Sequence, residues 1–80
     1  MNITVQFFAS YADRLSRSEV DLSLPDGSTV KDLLESVARL PGAGGLPPNP
    51  LVAVNLAYAR PATVLRAGDE VAVIPPVAGG

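Results

Sequence analysis

One segment governs what this chain can fold into. In the stretch beginning at Thr29, the apolar residues Val30, Leu33, Leu34, Val37 and Ala38 recur with helical spacing. Lys31, Asp32, Glu35 and Arg39 fill the opposite side. Thr29 is placed as an N-cap with Asp32 three residues on, a weak capping box, and Pro41-Gly42 ends the run. This is the clearest helix in the chain, and one helix can cover only one face of a sheet.

The flanking segments read as that sheet. Asn2 to Phe8 alternates, with Ile3, Val5 and Phe7 on one face and Thr4, Gln6 and Phe8 on the other. Glu19 to Leu24 repeats the alternation, and Tyr11 to Leu15 between them predicts a short helical turn. Pro25-Asp26-Gly27 supplies a turn. Leu51 to Asn55 is a third strand, with Asn55 placed to take positive φ in the turn after it. Thr63 to Leu65 reads as a short strand, Gly68-Asp69 as a turn and Glu70 to Ile74 as the last strand. Pro75-Pro76 stops it, because proline cannot donate to a ladder. Residues 41–50, PGAGGLPPNP, are rich in glycine but lack the Gly-Lys-Ser/Thr ending of a phosphate loop and follow a helix; they read as a plain mobile linker. The expected fold is α+β: a mixed sheet with one main helix packed on one face, the β-grasp or ubiquitin-like arrangement, over residues 1–75, with a flexible tail at 76–80.

Composition removes most chemistry. There is no cysteine and no histidine, which excludes disulfides, thiolate nucleophiles, Cys-based metal sites and the commonest general base. No metal site and no bound cofactor are expected. Six cations against eight acids give a net charge of −2, without the basic face that nucleic acid requires. The N-terminus alternates where a signal peptide would be apolar, and no apolar run approaches membrane-spanning length, so no membrane partner and a cytoplasmic location are expected. Asp69-Glu70 enters a strand, where adjacent side chains point opposite ways, and reads as a solvated turn. Lys31 lies on the polar helix face, without the burial that a Schiff-base lysine needs.

What remains is the end of the sequence, Pro75-Pro76-Val77-Ala78-Gly79-Gly80. Two closing glycines arise by chance in roughly 0.5% of chains at ordinary glycine usage, so the pattern outweighs a merely frayed end. Gly-Gly makes the thinnest chain available, and Pro76 to Gly80 extended spans ~17 Å, enough to enter a partner's channel. A carboxylate is a poor electrophile without a leaving group, so a partner must activate it, most economically with ATP as an acyl-adenylate. If Val71 and Val73 face the helix, then Phe8, Ala72 and Ile74 lie on the open face, joined by Tyr58 in the turn after strand three. An apolar patch at the root of such a tail reads as a docking surface.

These residues resemble the MoaD/ThiS family of sulfur carriers, most closely its molybdopterin synthase small-subunit branch. The resemblance rests on Phe7-Phe8-Ala9, Val52-Ala53-Val54-Asn55 and Leu65 to Gly80, LRAGDEVAVIPPVAGG, and covers essentially the whole chain. It implies that the Gly80 carboxylate is adenylated by an E1-like, MoeB-type activating enzyme using ATP, then converted to a thiocarboxylate with sulfur from a desulfurase and rhodanese system. It implies that Gly79-Gly80 enters the molybdopterin synthase large subunit, where sulfur passes to a pterin precursor. Catalytic side chains would then belong to that large subunit, and this chain would be no enzyme on its own. Phe8, Tyr58 and Ile74 match positions of the family's apolar contact surface, and Pro75, Pro76, Val77 and Ala78 lead the tail into the partner. Val73-Ile74 departs from the aromatic residues often found there, and residues 41–50 have no counterpart.

Three other readings compete. A carrier for thiamine thiazole formation more often ends in three glycines without the Pro-Pro-Val lead. A carrier for tRNA thiolation, or one conjugated to protein lysines, would use the same tail. A ubiquitin-like interaction module with an inert tail would keep sheet-mediated binding after loss of Gly80.

Overall fold

The computed structural model describes residues 1–46 and 49–76. Five strands, β1 (Asn2–Phe7), β2 (Glu19–Ser23), β3 (Leu51–Val54), β4 (Ala57–Tyr58) and β5 (Glu70–Ile74), form one sheet in the order β2-β1-β5-β3-β4. β1 runs parallel to β5, and the other neighbours are antiparallel. Two helices, α1 (Ala9–Leu15) and α2 (Val30–Val37), complete the α+β β-grasp fold.

Register puts one apolar set on one side. Val5 lies opposite both Val20 and Val71, and Phe7 opposite Val73, which in turn faces Val52. Ile3, Val5 and Val73 are wholly excluded from solvent. Val30, Leu33 and Val37 of α2, with Tyr11 and Leu15 of α1, close the core over that face. A fully buried leucine of this kind stabilises the fold by about 1.5–3 kcal/mol relative to an exposed one.

The capping box of α2 is present. The Asp32 N–H donates to Thr29 Oγ1 at 3.3 Å, and the Thr29 N–H donates to Asp32 Oδ2 at 2.9 Å. The helix closes at Val37, earlier than the apolar spacing through Ala38 implied. Arg39 and Leu40 donate to Ser36 and Val37, a tightened last turn ahead of Pro41.

Three expectations are corrected. Residues 63–65 form no strand: Val64 makes a single bridge to Thr29, and the segment ties to the α2 entry through Val30 N–H to Thr63 O and Leu65 N–H to Ser28 O. The fourth strand is instead Ala57–Tyr58, so Tyr58 sits in the sheet and not in a turn. The 41–50 segment is not a plain linker. A 3-10 turn covers Ala43–Gly45, Ala43 joins the core, and the turn packs on α1. Gly42 has φ +88° and lies so close to α1 that a Cβ would come within 2.6 Å of the Arg14 carbonyl oxygen. Gly42 serves that close approach, whereas a Cβ at Gly44 would meet open space. Pro47 and Pro48 lie outside the described residues.

Candidate docking face and tail root

The face of the sheet away from the helices carries Thr4 and Gln6 of β1, Glu70, Ala72 and Ile74 of β5, Leu51 and Ala53 of β3, and Tyr58 of β4. The registers Gln6–Ala72, Ala72–Ala53, Ala53–Tyr58 and Ile74–Leu51 bring them together. Cross-strand neighbours share a face, so strand parity alone fixes this set. Phe8 joins from the end of β1. Its backbone remains extended (φ −126°, ψ 154°) at the N-cap of α1, which keeps the alternation for one residue more and turns the ring away from the core.

The result is a shallow groove of about 310 Å³. Phe8, Leu56, Tyr58 and Ile74 form its apolar walls, Ala53 and Ala72 line it between them, and Gln6 contributes a polar side. Phe8 is 45% and Tyr58 77% exposed, whereas Phe7 is 3% exposed. That contrast between adjacent phenylalanines marks one as core and the other as surface. The expected placement of Phe8, Ala72 and Ile74 opposite Val71 and Val73 is what the structure has. Pro75, half-buried, and Pro76, exposed, leave β5 directly after Ile74. The groove therefore adjoins the root of the tail. Val77, Ala78, Gly79 and Gly80 lie outside the described residues.

Leu56 was not among the sequence candidates. It and Asn55 form the two-residue loop between β3 and β4, with φ 71° and 50°. Positive φ at both central residues is the signature of a type I′ hairpin, which favours Asn then Gly. Here a leucine takes the glycine position and is 100% exposed. The signal was available: Asn55 was assigned positive φ, and a two-residue reading of the hairpin would have placed Leu56 at its tip.

Asn55 does more than tolerate the turn. Its Nδ2 donates to Asp69 Oδ1 at 3.0 Å, its Oδ1 accepts from the Glu70 N–H at 3.0 Å, and its own N–H donates to Glu70 O at 2.8 Å. Asp69 Oδ2 in turn accepts from the Arg66 N–H at 2.8 Å. The hairpin tip is thus tied to the entry of β5, and the Asp69 carboxylate is occupied structurally.

Away from the groove the same face is acidic. Thr4 lies opposite both Asp21 and Glu70, and Gln6 opposite Glu19. Thr4 Oγ1 donates to Asp21 Oδ1 at 2.9 Å. An apolar groove beside a row of carboxylates suits a partner with an apolar ridge and flanking cations. Among the described residues no cluster of acidic side chains is arranged to hold a metal ion, and no helix is long and apolar enough to cross a membrane. The face offers an apolar groove suited to a protein surface, beside the exit of β5.

Known proteins share this chain's sequence pattern and fold. A model of the ThiS family matches residues 5–80. The molybdopterin synthase sulfur carrier subunit of Chlamydomonas reinhardtii is 36% identical over 83 residues, covering 100% of both chains. SAMP1 of Haloferax volcanii superposes with a TM-score of 0.84 at 27% identity over 100% of both chains. A Pyrococcus furiosus protein described as molybdopterin converting factor, subunit 1, superposes at 0.83 with 28% identity, covering 96% of this chain and 99% of that one. On sequence and on fold alike, over essentially its whole length, the chain belongs to the ThiS family.

Proposed function

We propose that this chain is the sulfur carrier subunit of a molybdopterin synthase, donating sulfur from a thiocarboxylate at Gly80 to the pterin precursor in molybdenum cofactor biosynthesis. The observation behind this reading is an apolar groove of Phe8, Leu56, Tyr58 and Ile74 set at the root of a Pro-Pro-Val-Ala-Gly-Gly tail. The function carried by the Chlamydomonas relative supports it. The chain has no histidine and no cysteine with which to run the reaction itself. The division of labour follows. This chain presents the sulfur, and the side chains that act on the pterin belong to the large subunit seated on the groove.

Loading comes first. A MoeB-type enzyme uses ATP to convert the Gly80 carboxylate to an acyl-adenylate, whose phosphate is the leaving group a bare carboxylate lacks. The outer sulfur of a persulfide from a desulfurase and rhodanese system then attacks the carbonyl carbon and AMP leaves. A second thiol of that system cleaves the resulting acyl disulfide, forming a disulfide with the donor cysteine and freeing the thiocarboxylate. Gly79 and Gly80, without Cβ atoms, let the chain end pass through a narrow channel. Pro75 and Pro76 give the tail its stiff exit from β5. The chain itself holds no cofactor, and all of these steps take place in the cytoplasm.

The test is reconstitution. The loaded chain, mixed with a large subunit and pterin precursor, is expected to yield the dithiolene product, and a chain lacking Gly80 is expected to yield none while keeping its fold. Transfer by the Gly80-deleted chain would refute the mechanism. A second reading, attachment of Gly80 to protein amines, has the match to SAMP1, a small archaeal modifier protein, in its favour. It uses the same activated carbonyl.

A further inference from the structure

The sheet ends on two rims, β2 and β4. β4 has two residues, whereas β2 has five, Glu19–Ser23, with β1 on one side only. Phe7 N–H donates to Ser18 O at 2.9 Å, and Leu24 N–H donates to Met1 O at 2.9 Å. These bonds set the phase of the ladder between them: Ser18, Val20, Leu22 and Leu24 turn their backbone groups to β1. Glu19, Asp21 and Ser23 therefore turn N–H and C=O outward, and among the described residues these groups have no protein partner. β2 contains neither proline nor glycine, and its register with β1 is unbroken, so its backbone is free to pair with one more strand.

The helical layer stops short of this rim. Val20 and Leu22 face the core side yet are only half-buried, while their β1 partners Val5 and Ile3 are wholly excluded from solvent. On the other side Glu19, Asp21 and Ser23 are exposed. Thr4 Oγ1 occupies Asp21 Oδ1, whereas Asp21 Oδ2 and the Glu19 carboxylate accept no hydrogen bond among the described residues.

That pattern selects the occupant. A second copy paired in the centred antiparallel register would set Asp21 directly opposite its own counterpart, and like charges so placed repel. A strand with cations at alternate positions instead sets them beside Glu19 and Asp21. Its intervening aliphatic residues then extend the apolar side over Val20 and Leu22. We infer that β2 is a second docking edge, which takes an extended segment of a partner protein with alternating basic and aliphatic residues as a sixth strand of the sheet. β1 separates this rim from β5, so the partner strand leaves the groove of Phe8, Tyr58 and Ile74 uncovered. The edge is independent of the chemistry at Gly80.

The test is amide exchange followed by NMR on the unaltered chain, with a short capped peptide of alternating lysine and valine as probe. Saturating peptide is expected to slow exchange at Glu19, Asp21 and Ser23 by about tenfold or more, with smaller changes at Val20 and Leu22, which are already bonded to β1. The same peptide with glutamate in place of lysine is expected not to bind. Reversing both charges, Glu19→Lys with Asp21→Lys, is expected to exchange the two preferences. Protection centred on Phe8, Tyr58 and Ile74, equal binding of the two peptides, or no slowing at the three outward amides would each overturn the inference. A charge-reversed chain that still prefers the lysine peptide would overturn it as well. A dimer joined through β2 without any peptide would overturn the choice of a basic partner and make the rim an edge for self-association.

Discussion

Replacing Leu56 by glycine separates folding from docking, because the two effects have opposite signs. Leu56 holds φ 71° at the second position of the β3–β4 hairpin and is 100% exposed. A non-glycine residue in the left-handed region costs about 1–2 kcal/mol from the clash of its Cβ. Glycine removes that strain but adds about 0.4–1 kcal/mol of conformational freedom to the unfolded chain. The side chain buries nothing in the isolated domain, so no packing is lost. The net gain lies between about 0 and 1.6 kcal/mol, and its midpoint of about 0.8 kcal/mol is a rise in melting temperature of roughly 3–6 °C for a domain of this size. In a complex seated on the groove the same leucine becomes buried, a contribution of about 1.5–3 kcal/mol. Its loss should weaken binding to the large subunit or activating enzyme by about ten- to a hundredfold. Thermal melts and titration calorimetry on one preparation read both numbers. A destabilised Leu56→Gly would show that the leucine supports the fold. A stabilised variant with unchanged affinity would remove Leu56 from the interface.

Other expectations follow from the same geometry. Phe8→Ala and Ile74→Asp should each weaken partner binding by about tenfold or more, with small changes in melting temperature; a large fall in stability would place them in the core. Asn55→Ala removes both side-chain bonds that join the hairpin to β5 and should cost about 1–3 kcal/mol in denaturant titration, whereas loss of function without loss of stability would point to a direct contact. Burial raises the pKa of the Tyr11 phenol. The unfolded chain then ionises first, so stability is whole below about pH 10 and falls as pH rises through the folded value. That alkaline loss should be smaller in Tyr11→Phe, and an identical pH slope in the two proteins would contradict it.

Much of this was legible in the sequence because it follows from periodicity. Alternation in β1, β2 and β5 fixed which valines and leucines face α2, and hence placed Phe8, Ala72 and Ile74 on the open side. The Thr29–Asp32 box located the start of α2 to the residue. The failures share a cause, dependence on distant partners. Ala57–Tyr58 is too short to show a period, and exists as a strand because Val54 and Ala53 pair with it. Thr63 to Leu65 has strand-like residues, yet its backbone bonds are to the α2 entry. The 41–46 segment carried little side-chain information because what matters at Gly42 is a missing Cβ, which would strike the Arg14 carbonyl oxygen. Leu56 escaped notice because an apolar residue in a turn signals nothing until its φ and exposure are known.

The proposed function places the sulfur at Gly80. Its most direct test is the intact mass of the chain after incubation with a MoeB-type enzyme, ATP and a persulfide donor. The expected result is the mass shift of one oxygen replaced by sulfur, localised to Gly80 by fragmentation. An unchanged mass with a competent enzyme and an intact tail would contradict it, and would leave the groove as the surface of a ubiquitin-like interaction module.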